Sequence, residues 1–176
     1  MRIPVMAVVV AVGLAATAGL SAAGAGNLQE NDLRFLREAG GGGLAEVALG
    51  KLAVDQGHNP EVRAFGQRMM DDHGKGNEQL LALAQGKKVE VPSELPADAK
   101  QTGERLAALS GAAFDREFMK IMVSDHEKVV AAFEGEANSG GDSDVQQFAA
   151  QTLPMLRDHL TQARRIQTAL TGVSSQ

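Results

Sequence analysis

The feature that most constrains the fold of this chain is a set of four long segments in which apolar residues recur at helical spacing. Leu, Ala, Glu, Gln, Lys and Arg dominate these segments, and no stretch alternates apolar and polar residues for long. Both observations favour α-helix over β-strand. The four predicted helices cover residues 27–56, 60–85, 112–138 and 144–170.

The predicted helix ends rest on capping signals. A side-chain oxygen at the N-cap accepts hydrogen bonds from the first free N–H groups of a helix, and glycine readily ends one. Two N-caps have Glu or Gln three residues later, which is the spacing of a capping box. The predicted caps are Asn27 (with Glu30), Asn59 (before Pro60) and Ser143 (with Gln146), and the ending glycines are Gly86, Gly140 and Gly141.

The connection between the second and third helices, residues 87–111, is longer than the other two. Pro92 and Pro96 break its first part, and residues 97–109 can form a short helix. Short connections make consecutive helices antiparallel neighbours, whereas the long one permits a crossover. We therefore predict an all-α fold: a four-helix bundle with a long helical crossover between helices two and three.

Two features strain this prediction. Each glycine inside a helix costs about 0.8–1 kcal/mol relative to alanine, and residues 40–43 of the first helix are all glycine. Either the helix breaks there, or a neighbouring helix approaches too closely for a side chain. Pro154 lies well inside the fourth helix, where it is expected to kink the helix and free the carbonyl of Ala150.

Residues 1–25 are predicted to be a signal peptide. After Met1 and Arg2, residues 5–20 form an apolar run of 16 residues without a charge, and small residues follow. Cleavage is expected near Ala23 or Ala25, leaving residues 26–176 as a single bundle domain. A retained membrane anchor is the alternative, but spanning needs about 20 apolar residues. The protein is therefore expected in the periplasm, outside the cell or associated with the envelope.

Composition excludes several kinds of site. The chain has no Cys, so it has no disulfide, thiolate metal site or cysteine nucleophile. A net charge of −5, with no Trp or Tyr, leaves no basic patch with stacking rings for nucleic acid. We find no nucleophile elbow, phosphate loop or dinucleotide fingerprint, so an enzyme is the less favoured interpretation. Nothing in the sequence predicts a protein partner.

One pattern, Met-x-x-Asp-His, occurs three times. Residues four apart lie on one helix face, and each of these His belongs to the apolar stripe of its helix. Each also lies near the middle of its helix, as Glu46 does in the first helix, so three imidazoles and a carboxylate are expected to meet in one layer. An old internal duplication would give the same repeat without any chemistry. The three copies end at His73, His126 and His159, with Met69, Met122 and Met155 and with Asp72, Asp125 and Asp158.

These residue types predict a transition-metal site, with copper first and iron or zinc next. Imidazole suits all three metals, thioether sulfur selects Cu(I), and the Glu46 carboxylate favours harder ions. The three Asp are expected either to orient a His on an adjacent helix or to pair with a surface Arg or Lys. The predicted metal ligands are His73, His126, His159, Glu46, Met69, Met122 and Met155.

The alternative is a buried Asp–His network that fixes helix register in a structural or interaction protein of the cell envelope. The two hypotheses differ in geometry. A metal site needs the rings to converge within about 4–5 Å of a common point, whereas in a network each His pairs with an Asp and the rings diverge. His58, at the end of the first helix, is expected to be structural because a positive ring there complements the helix dipole.

Residues along nearly the whole chain carry a family resemblance. They are Gly43, Glu46, Val47, Gly50, Lys51, Val62, Phe65, Met69, Asp72 and His73, then the stretches 111–115, 125–128 and 153–154. With them the chain resembles a family of exported bacterial proteins, a domain of unknown function labelled "predicted outer membrane protein". The resemblance implies a ferritin-like four-helix bundle and no particular activity. Di-iron bundles use Glu-x-x-His pairs, and no His here has a Glu three residues before it, so ferroxidase chemistry is not expected.

Overall fold

The computed structural model describes residues 28–172, which form five α-helices. α1 packs along α2, and α4 packs along α5, so each short loop joins antiparallel neighbours. The predicted all-α bundle with a helical crossover is therefore confirmed, with α3 as the crossover helix. The predicted signal peptide and the cap Asn27 lie outside the described residues. The helices are α1 (Glu30–Gln56), α2 (Pro60–Gly86), α3 (Ala97–Ala107), α4 (Gly111–Ser139) and α5 (Ser143–Gly172).

The helix starts show where capping was predicted well and where it was not. The Asn59 side chain accepts from the Glu61 N–H at 2.8 Å, as predicted for α2. In α1 the N-cap is Gln29, whose N–H donates to the Asp32 carboxylate at 2.6 Å, so Glu30 is the first helical residue and not the third, as the predicted capping box requires.

The N-terminus of α5 also differs from the prediction. The carboxylate of Asp142 accepts from the N–H groups of Asp144 and Val145 at 2.9 and 3.2 Å. The helix thus begins at Ser143 itself, one residue earlier than expected. An ionised carboxylate is a stronger acceptor than a hydroxyl, which explains why Asp142 replaces the predicted cap Ser143.

The glycine run does not interrupt α1. A Cβ added at Gly41 would lie 3.1 Å from the Pro96 side chain, and one at Gly43 would overlap Asn77 of α2. Close approach of a neighbouring helix is therefore the correct alternative at Gly43, whereas the residue close to Gly41 belongs to the connection before α3. α5 likewise continues through Pro154, and the kink expected there stays a prediction.

The core consists of two apolar clusters at opposite ends of the bundle. The first is built around Phe65, Met69, Phe114, Phe118 and Met122, and the second around Leu36, Leu80, Phe133, Val145 and Leu156. Residues of the first cluster precede those of the second along α2 and α4, and the order is reversed along α1 and α5. α2 and α4 therefore run in one direction, and α1 and α5 in the other. Within the described residues, no helix is sufficiently long and apolar to cross a membrane.

Candidate metal centre

Three histidines meet in the layer between the two apolar clusters. His73 comes from α2, His126 from α4 and His159 from α5, and their exposed fractions are 8%, 0% and 0%. The ring centroids lie 5.3–5.7 Å apart. One ring nitrogen of each residue lies within 4.8 Å of one from each of the others. The rings therefore converge rather than diverge.

One nitrogen of two of the rings is already occupied by a protein acceptor. The Met122 carbonyl lies 2.9 Å from Nδ1 of His126, and the Asp72 carboxylate lies 2.9 Å from Nε2 of His159. Because both partners accept, these nitrogens carry the ring proton and donate it. The opposite nitrogen of each ring then holds a free lone pair.

The remaining nitrogens are buried without a partner. Nε2 of His73, Nε2 of His126 and Nδ1 of His159 have no hydrogen bond to any of the described residues. Buried polar atoms in folded proteins are nearly always hydrogen-bonded, so three such atoms on converging rings are unusual. Each is an atom through which a neutral imidazole binds a metal.

The environment keeps the rings neutral. Burial lowers the pKa of His73 to about 3, and the neighbouring His126 and His159 add to the effect. Burial and His159 lower the pKa of His126 to about 4. Burial also lowers the pKa of His159, although Asp72 acts in the opposite direction. At neutral pH all three rings are therefore uncharged and have a lone pair available.

Glu46 of α1 adds a carboxyl group to the same layer. Its side chain is 9% exposed, and Oε1 lies 3.8 Å from Nδ1 of His126. Oε2 is buried and makes no hydrogen bond within the described residues. Burial, with a contribution from Asp125, raises the pKa of Glu46 to about 8. Glu46 thus lies near His126 with one carboxyl oxygen that lacks a partner within the described residues, but it is not part of the group of three histidine nitrogens that lie within 4.8 Å of one another.

The aspartates of the repeat have different environments. Asp72 accepts a hydrogen bond from His159 of α5, as expected for an Asp that orients a His on an adjacent helix. It also accepts one from Nε of Arg68 at 3.2 Å. Asp158 is exposed and pairs with Arg68 at 2.6 Å, and Asp125 pairs with Lys128 at 3.1 Å. Only Asp72 therefore orients a histidine, and the other two form surface ion pairs.

Arg68 and Phe65 contact this layer and were not assigned a role from the sequence. Arg68 links Asp72 to Asp158 and donates to Gln162 of α5 at 2.7 Å. Its spacing of four residues from Asp72 is the signal that a search for helical ion pairs would have found. The Phe65 ring lies edge-on to His126 and His159, with centroids 6.4 and 6.3 Å away.

The three methionines do not lie together. Met69 and Met122 are fully buried in the first apolar cluster, whereas Met155 is partly buried against the second. The cause is helix direction: α5 runs opposite to α2 and α4, so the residue one turn before its histidine lies on the other side of the layer. Coordination by any of the three thioethers stays a prediction.

Comparisons with known proteins bear on the family and the fold. The family described as "Domain of unknown function (DUF4142)" matches residues 17–166, and no curated protein matches the chain. A crystal structure of a DUF305 fragment from Deinococcus radiodurans is similar with a TM-score of 0.68 and 13% identity. The similarity covers 82% of this chain and 97% of that one. At 13% identity, this structural similarity shows the fold alone. Since residues 17–166, most of the chain, match the family model, the chain belongs to the DUF4142 family of domains of unknown function.

Proposed function

We propose that this protein binds a transition-metal ion in the layer formed by His73, His126 and His159. The observation that supports it best is the convergence of three neutral rings, each with one buried nitrogen that lacks a partner. A point equidistant from three atoms 4.8 Å apart lies about 2.8 Å from each, and metal–imidazole bonds are about 2.0–2.1 Å long. Side-chain movements of under about 1 Å therefore suffice to close the site.

The proposed order of metals is copper first, then iron or zinc. Three imidazoles suit all of them. Glu46 is the proposed fourth ligand and favours the divalent ions, while Met69 and Met122 on one side and Met155 on the other are the proposed soft partners for Cu(I). With no Cys in the chain, thiolate cannot compete for the ion.

The proposed location of the protein is outside the cytoplasm, where it would hold or buffer the metal. The support is in the sequence alone: the charged start, the apolar run and the small residues of positions 1–25. The three-histidine site does not depend on this part of the proposal.

Metal loading tests the proposal. The purified protein is incubated separately with Cu(I), Zn(II) and Fe(II), dialysed, and analysed for metal content. We expect one ion per chain for at least one metal and almost none after replacing all three site histidines with alanine. His58→Ala, at an exposed position, is the matched control and should bind as the wild type does. No retention of any metal, or equal retention by the triple variant, would refute it.

A second candidate function is a structural or interaction protein of the envelope, and one contact favours it. The Asp72–His159 pair joins α2 to α5 across the core, as a register-fixing network would. In that case His126→Ala would lower the free energy of unfolding, and the wild type would take up no more metal than the variant does.

A further inference from the structure

The histidine layer is closed on one side and accessible on the other. His126 and His159 are fully buried and lie against the edge of Phe65. His73 and Glu46, in contrast, line a groove of about 830 Å³, whose walls come from all five helices and the crossover loop. An ion held by the three rings would therefore meet the groove on the side of His73 and Glu46.

The donor set leaves charge on such an ion. Imidazole binds metals in its neutral form, so the three rings contribute no charge, and Glu46 contributes at most one negative charge. A divalent ion therefore keeps at least one positive charge in a low-dielectric setting, where a small anion compensates it best. Catalytic zinc sites with three protein ligands keep a fourth position for water or substrate, and such sites can also expand to five ligands, so an exchangeable position is available with or without Glu46 bound.

We propose that a divalent ion in this layer keeps an exchangeable coordination position facing the groove and takes a small monoanion, such as hydroxide or azide, through it. The inference rests on the proposed metal site and adds that the site is a ligand-binding one rather than a sealed store. The groove is the route by which the anion arrives.

Two glycines allow the groove to be filled without touching a proposed ligand. Gly76, three residues after His73 on α2, and Gly42 on α1 both line the groove, and an added Cβ at either meets nothing within 4 Å. Leucine at either position would narrow the groove, from α2 at Gly76 and from α1 at Gly42. Gly74→Leu is the matched control, because Gly74 has equally open space on the same helix and does not line the groove.

The experiment uses Co(II)-loaded protein, whose visible spectrum changes when a ligand is added to the metal. Cobalt content is measured first, azide is then mixed rapidly with wild type and the three leucine variants, and the spectral change is followed over time at several azide concentrations. We expect saturable spectral change in wild type and in Gly74→Leu. Gly76→Leu and Gly42→Leu should hold the same cobalt, but azide should bind to them at least tenfold more slowly, because a narrower groove slows the arrival of the anion.

The outcomes separate this inference from the proposed function. Protein that holds cobalt but shows no azide response would overturn the exchangeable position while leaving the metal site intact. An equal rate of azide binding in all four proteins would overturn the groove as the route. If the protein binds none of Co(II), Cu(I) and Zn(II), the metal site is overturned, and this inference with it.

Discussion

Asp72 and Asp125 occupy the same place in two copies of one sequence repeat, yet their contacts differ. Asp72 accepts from His159 and from Arg68, whereas Asp125 pairs with the exposed Lys128. Burial alone would raise the pKa of Asp72, but the hydrogen bonds from His159 and Arg68 lower it. Asp72 is therefore a charged acceptor that fixes the orientation of His159.

The first prediction concerns this contact. Asp72→Asn keeps the size of the side chain but removes its charge and weakens the acceptor that holds His159. We expect metal affinity to fall about 10–100-fold, the usual loss when a residue that orients a ligand is changed. The measurement is competition for the metal with a chelator of known affinity. Asp125→Asn should leave the affinity unchanged, and an equal loss in both variants would contradict this role of Asp72.

A second group of buried acids lies where α1 begins and α4 ends. Asp32 accepts from the N–H groups of Gln29 and Gly141, at 2.6 and 2.7 Å, and these bonds lower its pKa although burial opposes them. Burial, followed by the hydrogen bond and charge of Asp32, raises the pKa of Glu136 to about 7. Glu136 is therefore the member of the pair that holds the proton.

The pH dependence follows from the sign of that shift. Between pH 4.5 and 7 the folded state binds a proton at Glu136 that the unfolded chain releases, so this group's contribution to stability is lost as pH rises through 7. Glu136→Gln, which keeps the neutral form, should gain in free energy of unfolding relative to wild type between pH 5.5 and 8. Urea denaturation at several pH values measures it. The partly exposed Glu134→Gln is the control, and parallel pH profiles for Glu136→Gln and wild type would contradict the assignment.

α1 and α2 approach each other closely at a pair of glycines, Gly50 and Gly66. A Cβ added at Gly66 would lie 2.7 Å from the Gly50 carbonyl and 2.7 Å from the Cβ of Ala53. The two backbones approach so closely that alanine does not fit. This contact sets the spacing of the helices that carry Glu46 and His73.

Gly66→Ala is therefore expected to destabilise the protein by about 1–3 kcal/mol, the usual cost of overpacking. Urea denaturation measures the difference from wild type. Gly74→Ala, where the added Cβ meets nothing within 4 Å, should instead stabilise the helix by up to about 1 kcal/mol. Equal effects of the two variants would show that helix propensity, not close approach, governs both positions.

Helix existence was predictable because apolar spacing and composition act over many residues, so errors at single positions cancel. Helix ends were less predictable because one hydrogen bond decides them. Asn59 was correctly predicted as an N-cap because Pro60 follows it. Ser143 was not the cap of α5, because the carboxylate of Asp142 accepts the first N–H groups instead. For the glycine run the sequence left two alternatives, and the positions of Asn77 and Pro96 decide between them. Those positions depend on tertiary packing.

Across the whole bundle, the histidine layer separates two apolar clusters. The three rings could be predicted to meet because a residue at the middle of a helix stays in the middle whichever way the helix runs. Met155 could not be placed in the same way, since its side of the layer depends on the direction of α5. The contact of Asp72 with His159 likewise depends on which helices are neighbours.

A ligand that binds only the folded state stabilises it. Zn(II) at about 100 times its dissociation constant adds about 2.7 kcal/mol, which for a chain of this size raises the melting temperature by about 5–10 °C. We expect this rise in wild type and no rise in the triple histidine variant. A thermal unfolding scan with and without the ion measures it, and a rise of equal size in both proteins would indicate binding elsewhere.

We propose that three histidines from three helices bind one metal ion, and X-ray absorption at the edge of the bound metal reports on those ligands without an intermediate step. The wild type is expected to show three imidazole nitrogens at about 2.0–2.1 Å. His126→Ala should lose one of them. A spectrum of a hydrated ion without imidazole scattering, or one that His126→Ala leaves unchanged, would contradict the claim.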